Sequence, residues 1–149
     1  GRIVMADALA YADAHLDPSW LVDVATLTGA ARIALGRALA PVFATDAGLT
    51  DALVAAGATT GETLWPMPLP DTYRRALDSD VADLTHIAPG VGGGAVTAAL
   101  FLREFVGERR WAHLDIAGTG RSDVDAGSAV KGATGFGTRL LLRWLEEMA

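Results

Sequence analysis

The run Gly90-Val91-Gly92-Gly93-Gly94-Ala95 has the spacing G-x-G-x-x-A, and Asp115 follows it within an apolar run. These are parts of a dinucleotide fingerprint, in which glycines admit a pyrophosphate to the backbone and an acid about 20 residues on reads the ribose. The upstream context works against that reading. The fingerprint needs an apolar strand running into its first glycine, and Asp83-Leu84-Thr85-His86-Ile87-Ala88-Pro89 is a poor one, with Pro89 removing a backbone donor. A dinucleotide-binding module using Gly90–Ala95 stands as the alternative reading.

Other reactive groups are scattered. His15, His86 and His113 make no H-x-x-x-H or H-E-x-x-H pair, so each alone reads as a structural or surface histidine. Ser19, Ser79, Ser122 and Ser128 sit in no G-x-S-x-G elbow, and Lys131, followed by Gly132, belongs to no phosphate loop. Asp123-Val124-Asp125 opens like a calcium loop, but Gly127 and Thr134 stand where ligands are required, which leaves a solvated turn. Asp115 is different. A carboxylate inside an apolar strand needs hydrogen-bond donors or a cation, either as a structural tie or as an active-site wall. Arg2 is the other candidate: a permanent cation beside the free N–H groups of a helix start can hold an anion, though a surface arginine near a chain end is the plainer reading.

The elements that must position these groups follow from periodicity. Ile3, Ala6, Leu9, Ala10 and Leu16 mark an amphipathic helix over 3–16, ended by Pro18. Trp20–Ala25 reads as a buried strand punctuated by Thr26-Leu27-Thr28-Gly29, and Leu39–Thr45 as a second strand. Asp46 is placed to cap a helix from Ala47 to Ala56, with Gly57 as its closing glycine. Leu64–Pro70 reads as an extended connection, and Asp71 as the cap of a helix carrying Tyr73, Ala76 and Leu77. The glycine-rich turn opens a helix from Ala95 to Val106, and Ala112–Ile116 is a strand. A last helix starts near Thr138 with Leu141, Trp144, Leu145 and Met148 as its apolar face. Alternating strands and helices predict an α/β layered domain with a largely parallel central sheet flanked by helices.

Composition narrows the classes. The 149 residues are half apolar and one-fifth charged, as in a globular domain, and carry a net charge of −6. The 12 basic residues are dispersed, which argues against a nucleic-acid partner. Without cysteine there is no disulfide, thiolate nucleophile or cysteine-based zinc site. No apolar run is long enough for a membrane helix.

Six stretches, in register along the whole chain, resemble the leucyl (cytosol) aminopeptidases of the M17 type. They are Gly1–Ala12, Ala25–Ala30, Leu64–Leu69, Gly93–Ala99, Trp111–Gly118 and Lys131–Gly135. The resemblance implies a metallo-exopeptidase that removes leucine-like N-terminal residues from peptides. It also implies two divalent ions, manganese or zinc, a cytoplasmic setting and a homo-hexamer. It makes residues 1–149 a partial catalytic domain beginning at the Gly-Arg of an N-T-D-A-E-G-R signature. The family's metal ligands would stand before Gly1, so no metal ligand is expected in this chain, no metal is expected to be bound by it, and it is expected to be inactive alone. A non-catalytic structural or oligomerisation module is the further alternative. Arg2 matches the family's catalytic arginine, with Gly1, Arg2 and Leu27 around its anion. Thr26, Leu27, Gly29 and Ala117 match the substrate side-chain pocket, and Gly120 falls where some members carry a larger residue, which implies a roomier pocket.

Overall fold

The structure is a computed structural model and describes residues 1–125, 127 and 130–148; Ser128 lies outside them. Its helices are α1 (Arg2–Leu16), α2 (Gly29–Leu35), α3 (Ala47–Thr60), α4 (Gly94–Arg103) and α5 (Thr138–Met148). Its strands are β1 (Trp20–Ala25), β2 (Ala40–Ala44), β3 (Leu64–Pro66), β4 (Arg110–Asp115), β5 (Arg121–Ser122) and β6 (Gly132–Ala133). The main sheet has the order β1-β4-β2-β3. Its β1–β4 and β2–β3 pairs are parallel and the central β2–β4 pair is antiparallel. The expected α/β domain with a mostly parallel sheet is therefore found, as a mixed sheet.

Alternation along the strands builds the layers. Trp111 of β4 and Phe43 of β2 join Ala6 and Leu9 of α1 and Ala99 and Leu100 of α4 in one core cluster. Their neighbours Ala112, Leu114 and Val42 face the other way, onto Leu49 and Leu53 of α3 and Leu140 and Trp144 of α5. Side chains that alternate across a strand need cover on both faces, which is why β4 is buried from Trp111 to Asp115 and carries apolar residues on both sides.

Several boundaries differ from expectation, each for a local reason. α3 runs to Thr60 and closes on Gly61 at φ 74°, so Gly57 is internal. Gly57 serves close approach instead: a Cβ there would lie 2.6 Å from the Glu62 carbonyl oxygen and 3.1 Å from Leu140 Cδ1. Asp71 caps no helix; it begins a 3₁₀ turn over Asp71–Leu77, and its carboxylate pairs with Arg103 at 2.8 Å. α4 stops at Arg103, and residues 104–106 continue it as a tighter turn. On α5 the buried face is Leu140 and Trp144, whereas Leu145 and Met148 are about half exposed, at 52% and 45%. On α1 only Ala6 and Leu9 are buried, and Ile3 and Leu16 are exposed. The short α2 has no apolar periodicity to announce it; Thr28 starts it by accepting the Ala31 N–H at 3.0 Å.

Candidate active-site end

The carboxyl ends of β1 and β4 lie side by side, with Ala25 in register with Asp115. Ligands in open α/β sheets gather at such ends. Asp115 is buried and fully used: Oδ1 accepts from Leu27 N and Ala117 N, each at 3.1 Å, and Oδ2 from the Thr28 hydroxyl at 2.6 Å. The carboxylate thus ties the loop after β1 to the turn after β4. Because Leu27 N–H is spent on this tie, only its carbonyl is left for another partner.

Arg2, the first residue of α1, stands against this knot. It donates through Nη1 to the His86 carbonyl, and its buried Nε has no partner among the described residues. Burial pushes the guanidinium below its ordinary pKa, and the neighbouring Asp115 carboxylate acts in the other direction. A cavity of about 390 Å³ opens here, lined by Gly1, Arg2, Ile3, Thr26, Leu27, His86 and Ile87. A half-buried cation lining such a cavity can hold an anion or steady negative charge that develops on a carbonyl.

Four of the sequence-derived residues, Gly1, Arg2, Thr26 and Leu27, meet in this cavity. Gly29 and Ala117 do not line it; Gly29 begins α2, and Ala117 takes part through its N–H to Asp115. His86 and Ile87 join the site without having been singled out for it, His86 through a backbone carbonyl that its residue type cannot advertise. The extra room expected at Gly120 is not seen, since a Cβ there would lie 2.9 Å from the Ile116 carbonyl oxygen and 3.3 Å from Thr26 Cγ2. A larger depression, about 890 Å³, is lined by Arg37, Glu62, Thr119, Arg121 and Phe136 among others, and holds none of the proposed residues. The smaller cavity is favoured because the arginine and the tied loop meet there.

Residues 1–142 match the family described as cytosol aminopeptidase, catalytic domain. The chain belongs to the cytosol aminopeptidase family. It is 47% identical over 147 residues to the probable cytosol aminopeptidase of Chlorobaculum parvum, covering 98% of this chain and 29% of that protein. The corresponding protein of Geobacter sulfurreducens is 49% identical over 146 residues, again 98% of this chain and 29% of the relative. For Prochlorococcus marinus strain AS9601 the figures are 46% over 147 residues, 98% and 30%. The chain thus spans under a third of the length of these curated aminopeptidases.

Family membership sharpens how the remaining groups are read. No strand runs directly into Gly90 among the described residues, and Asp115 points its oxygens at the β1 loop, so the parts of the dinucleotide fingerprint do not assemble. Asp123 pairs with Arg37 at 2.7 Å and Asp125 accepts from Lys131 N at 2.8 Å, as in an ordinary turn. No helix is long and apolar enough to cross a membrane among the described residues. Nor, among them, do three or more His, Asp or Glu side chains come together to hold a metal ion. The residues present do not fit the metal pair that the family resemblance implies.

Proposed function

We propose that this chain forms part of a metal-dependent aminopeptidase that releases leucine-like N-terminal residues from peptides. What supports it is the match over residues 1–142, together with an arginine poised beside a carboxylate-tied loop at the strand ends. In this reading Arg2 holds an anion and steadies charge on the scissile carbonyl. Thr26, Leu27, Gly29 and Ala117 shape the side-chain pocket. Two divalent ions, manganese or zinc, would supply an activated water, held by side chains other than those described. The 149 residues by themselves would then be inactive. The working enzyme would be a cytoplasmic homo-hexamer acting on peptides.

The test is hydrolysis of leucine p-nitroanilide with added manganese or zinc. Turnover is expected from a full-length polypeptide carrying this sequence, and negligible turnover from residues 1–149 alone. Robust turnover by the 149 residues would overturn the assignment of the metal site elsewhere. Inactivity of the full-length protein across leucine-like substrates would overturn the aminopeptidase reading itself.

A further inference from the structure

Beneath the candidate site lies a buried polar group that the proposed chemistry does not use. His113 is fully buried at the centre of the sheet, and its Nδ1 lies 2.5 Å from Asp23 Oδ1. The other oxygen, Asp23 Oδ2, accepts from the Trp111 indole Nε1 at 2.8 Å. The imidazole runs nearly parallel to the rings of Trp111 and Phe43, with centroids 6.3 and 6.0 Å away. Its Nε2 has no partner among the described residues. An indole N–H can only donate and a carboxylate oxygen can only accept. With Asp23 ionised, the Nδ1–H of His113 donates a hydrogen bond to Asp23 Oδ1.

We propose that Asp23, His113 and Trp111 form a register lock between β1 and β4 that positions the Leu27–Thr28 loop. Among the described residues β1 pairs only with β4, so that one ladder must set its register. A one-residue slip would turn every side chain to the wrong face, but a two-residue slip preserves the faces and has to be prevented by specific pairs. In the observed register Asp23 is opposite His113 and Ala25 opposite Asp115. Slipping two residues one way sets Asp23 opposite Asp115, carboxylate against carboxylate. Slipping the other way sets Ala25 opposite His113 and removes the imidazole's acceptor. Only the observed register satisfies the lock, and it delivers Leu27 N and the Thr28 hydroxyl to Asp115. His113 and Asp23 are positioning residues that act through Asp115.

The test replaces the imidazole in two ways in the full-length protein. His113→Phe keeps a flat ring but removes the donor, whereas His113→Asn keeps a donor near Nδ1. Two readouts are followed: KM and kcat for leucine p-nitroanilide, and hydrogen exchange of the segment 26–31 by mass spectrometry. The lock predicts that His113→Phe raises KM at least fivefold and speeds exchange in that segment at least tenfold, while His113→Asn keeps both within twofold of wild type. A merely structural role would lower kcat through the folded fraction, leaving KM and local exchange as they are, and that result overturns the proposal. If His113→Phe does not fold, Asp23→Asn serves as the second variant. It should move the His113 proton from Nδ1 to Nε2 in long-range proton–nitrogen spectra of histidine-labelled protein. An unchanged proton position there also overturns it. The kinetic arm rests on the aminopeptidase reading; exchange and tautomer do not, so an inactive wild-type protein would sink that reading and leave the lock to be judged on its own.

Discussion

Two buried carboxylates sit near the same end of the sheet and are held in nearly the same way, yet their surroundings differ. Glu62 accepts from Gly137 N at 3.1 Å and Leu140 N at 2.8 Å through Oε2, and from Arg139 Nε at 3.3 Å through Oε1. Asp115 likewise takes two backbone N–H groups and one side-chain donor. The difference lies in the arginine. Arg139 is bound directly to its carboxylate and closes the account at the start of α5. Arg2 interacts with Asp115 only through space, donates to the His86 carbonyl and lines a cavity. A carboxylate bonded directly to its arginine suits a structural tie, whereas one beside an arginine that lines a cavity is placed to serve the proposed site.

The largest expected break in this comparison is Arg2→Ala. In the active full-length protein it should lower kcat/KM by about 10²–10³, the usual loss for removing a preorganised charge-stabilising donor. Thermal unfolding should barely change, because Arg2 contributes little to the core. Arg2→Lys sharpens the point through pH. Burial at this position disfavours the charged form, and an ammonium starts from a lower ordinary pKa than a guanidinium. The lysine variant should lose its charge, and its activity, as pH rises through the alkaline range where wild type stays active. A rate profile identical to that of wild type up to pH ~10 would refute the role of a permanent cation.

Glu62→Ala should act on the opposite quantity. It strands two N–H groups at the start of α5 and should cost roughly 2–4 kcal/mol, read from the urea midpoint. KM should not move. Gly118→Ala tests the packing of the turn after β4 against the end of α2, since a Cβ there would lie 2.1 Å from the Gly36 carbonyl oxygen. The backbone must shift to admit it, at about 1–3 kcal/mol in chemical unfolding.

The contrast between the two acids was half legible in the sequence. Asp115 stood out because a charge within the run Ala112–Ile116 has to be answered by a partner. Glu62 did not, since Gly61-Glu62-Thr63 looks like any polar turn and its partners come from 75 or more positions away. The same limit applies to His113, whose acceptor lies 90 positions upstream. Strands β1, β2 and β4 were visible as largely apolar runs, because both faces of the sheet are covered by helices. Helix α2 was not, as only Ala31 of it is buried. The end of α3 was misplaced because two glycines compete there: Gly61 adopts the left-handed turn and Gly57 gives way to a carbonyl, and both demands favour the same residue.

The smallest effect separates the two ends of the sheet. Thr28 and Asp46 are both helix N-caps, accepting from Ala31 N at 3.0 Å and Leu49 N at 2.7 Å. Replacing Asp46 by Ala should cost about 1 kcal/mol of stability, by loss of one cap bond, and replacing Thr28 should cost more, because buried Asp115 also loses a donor. Only Thr28 also donates to Asp115, and β2 runs antiparallel to β4, so Asp46 follows β2 at the far end from Arg2. Thr28→Ala should therefore raise KM a few-fold by loosening the Leu27 loop, and Asp46→Ala should leave KM alone. Equal KM values for the two variants, measured beside matched unfolding curves, would show that the loop is held by the fold at large and not by its tie to Asp115.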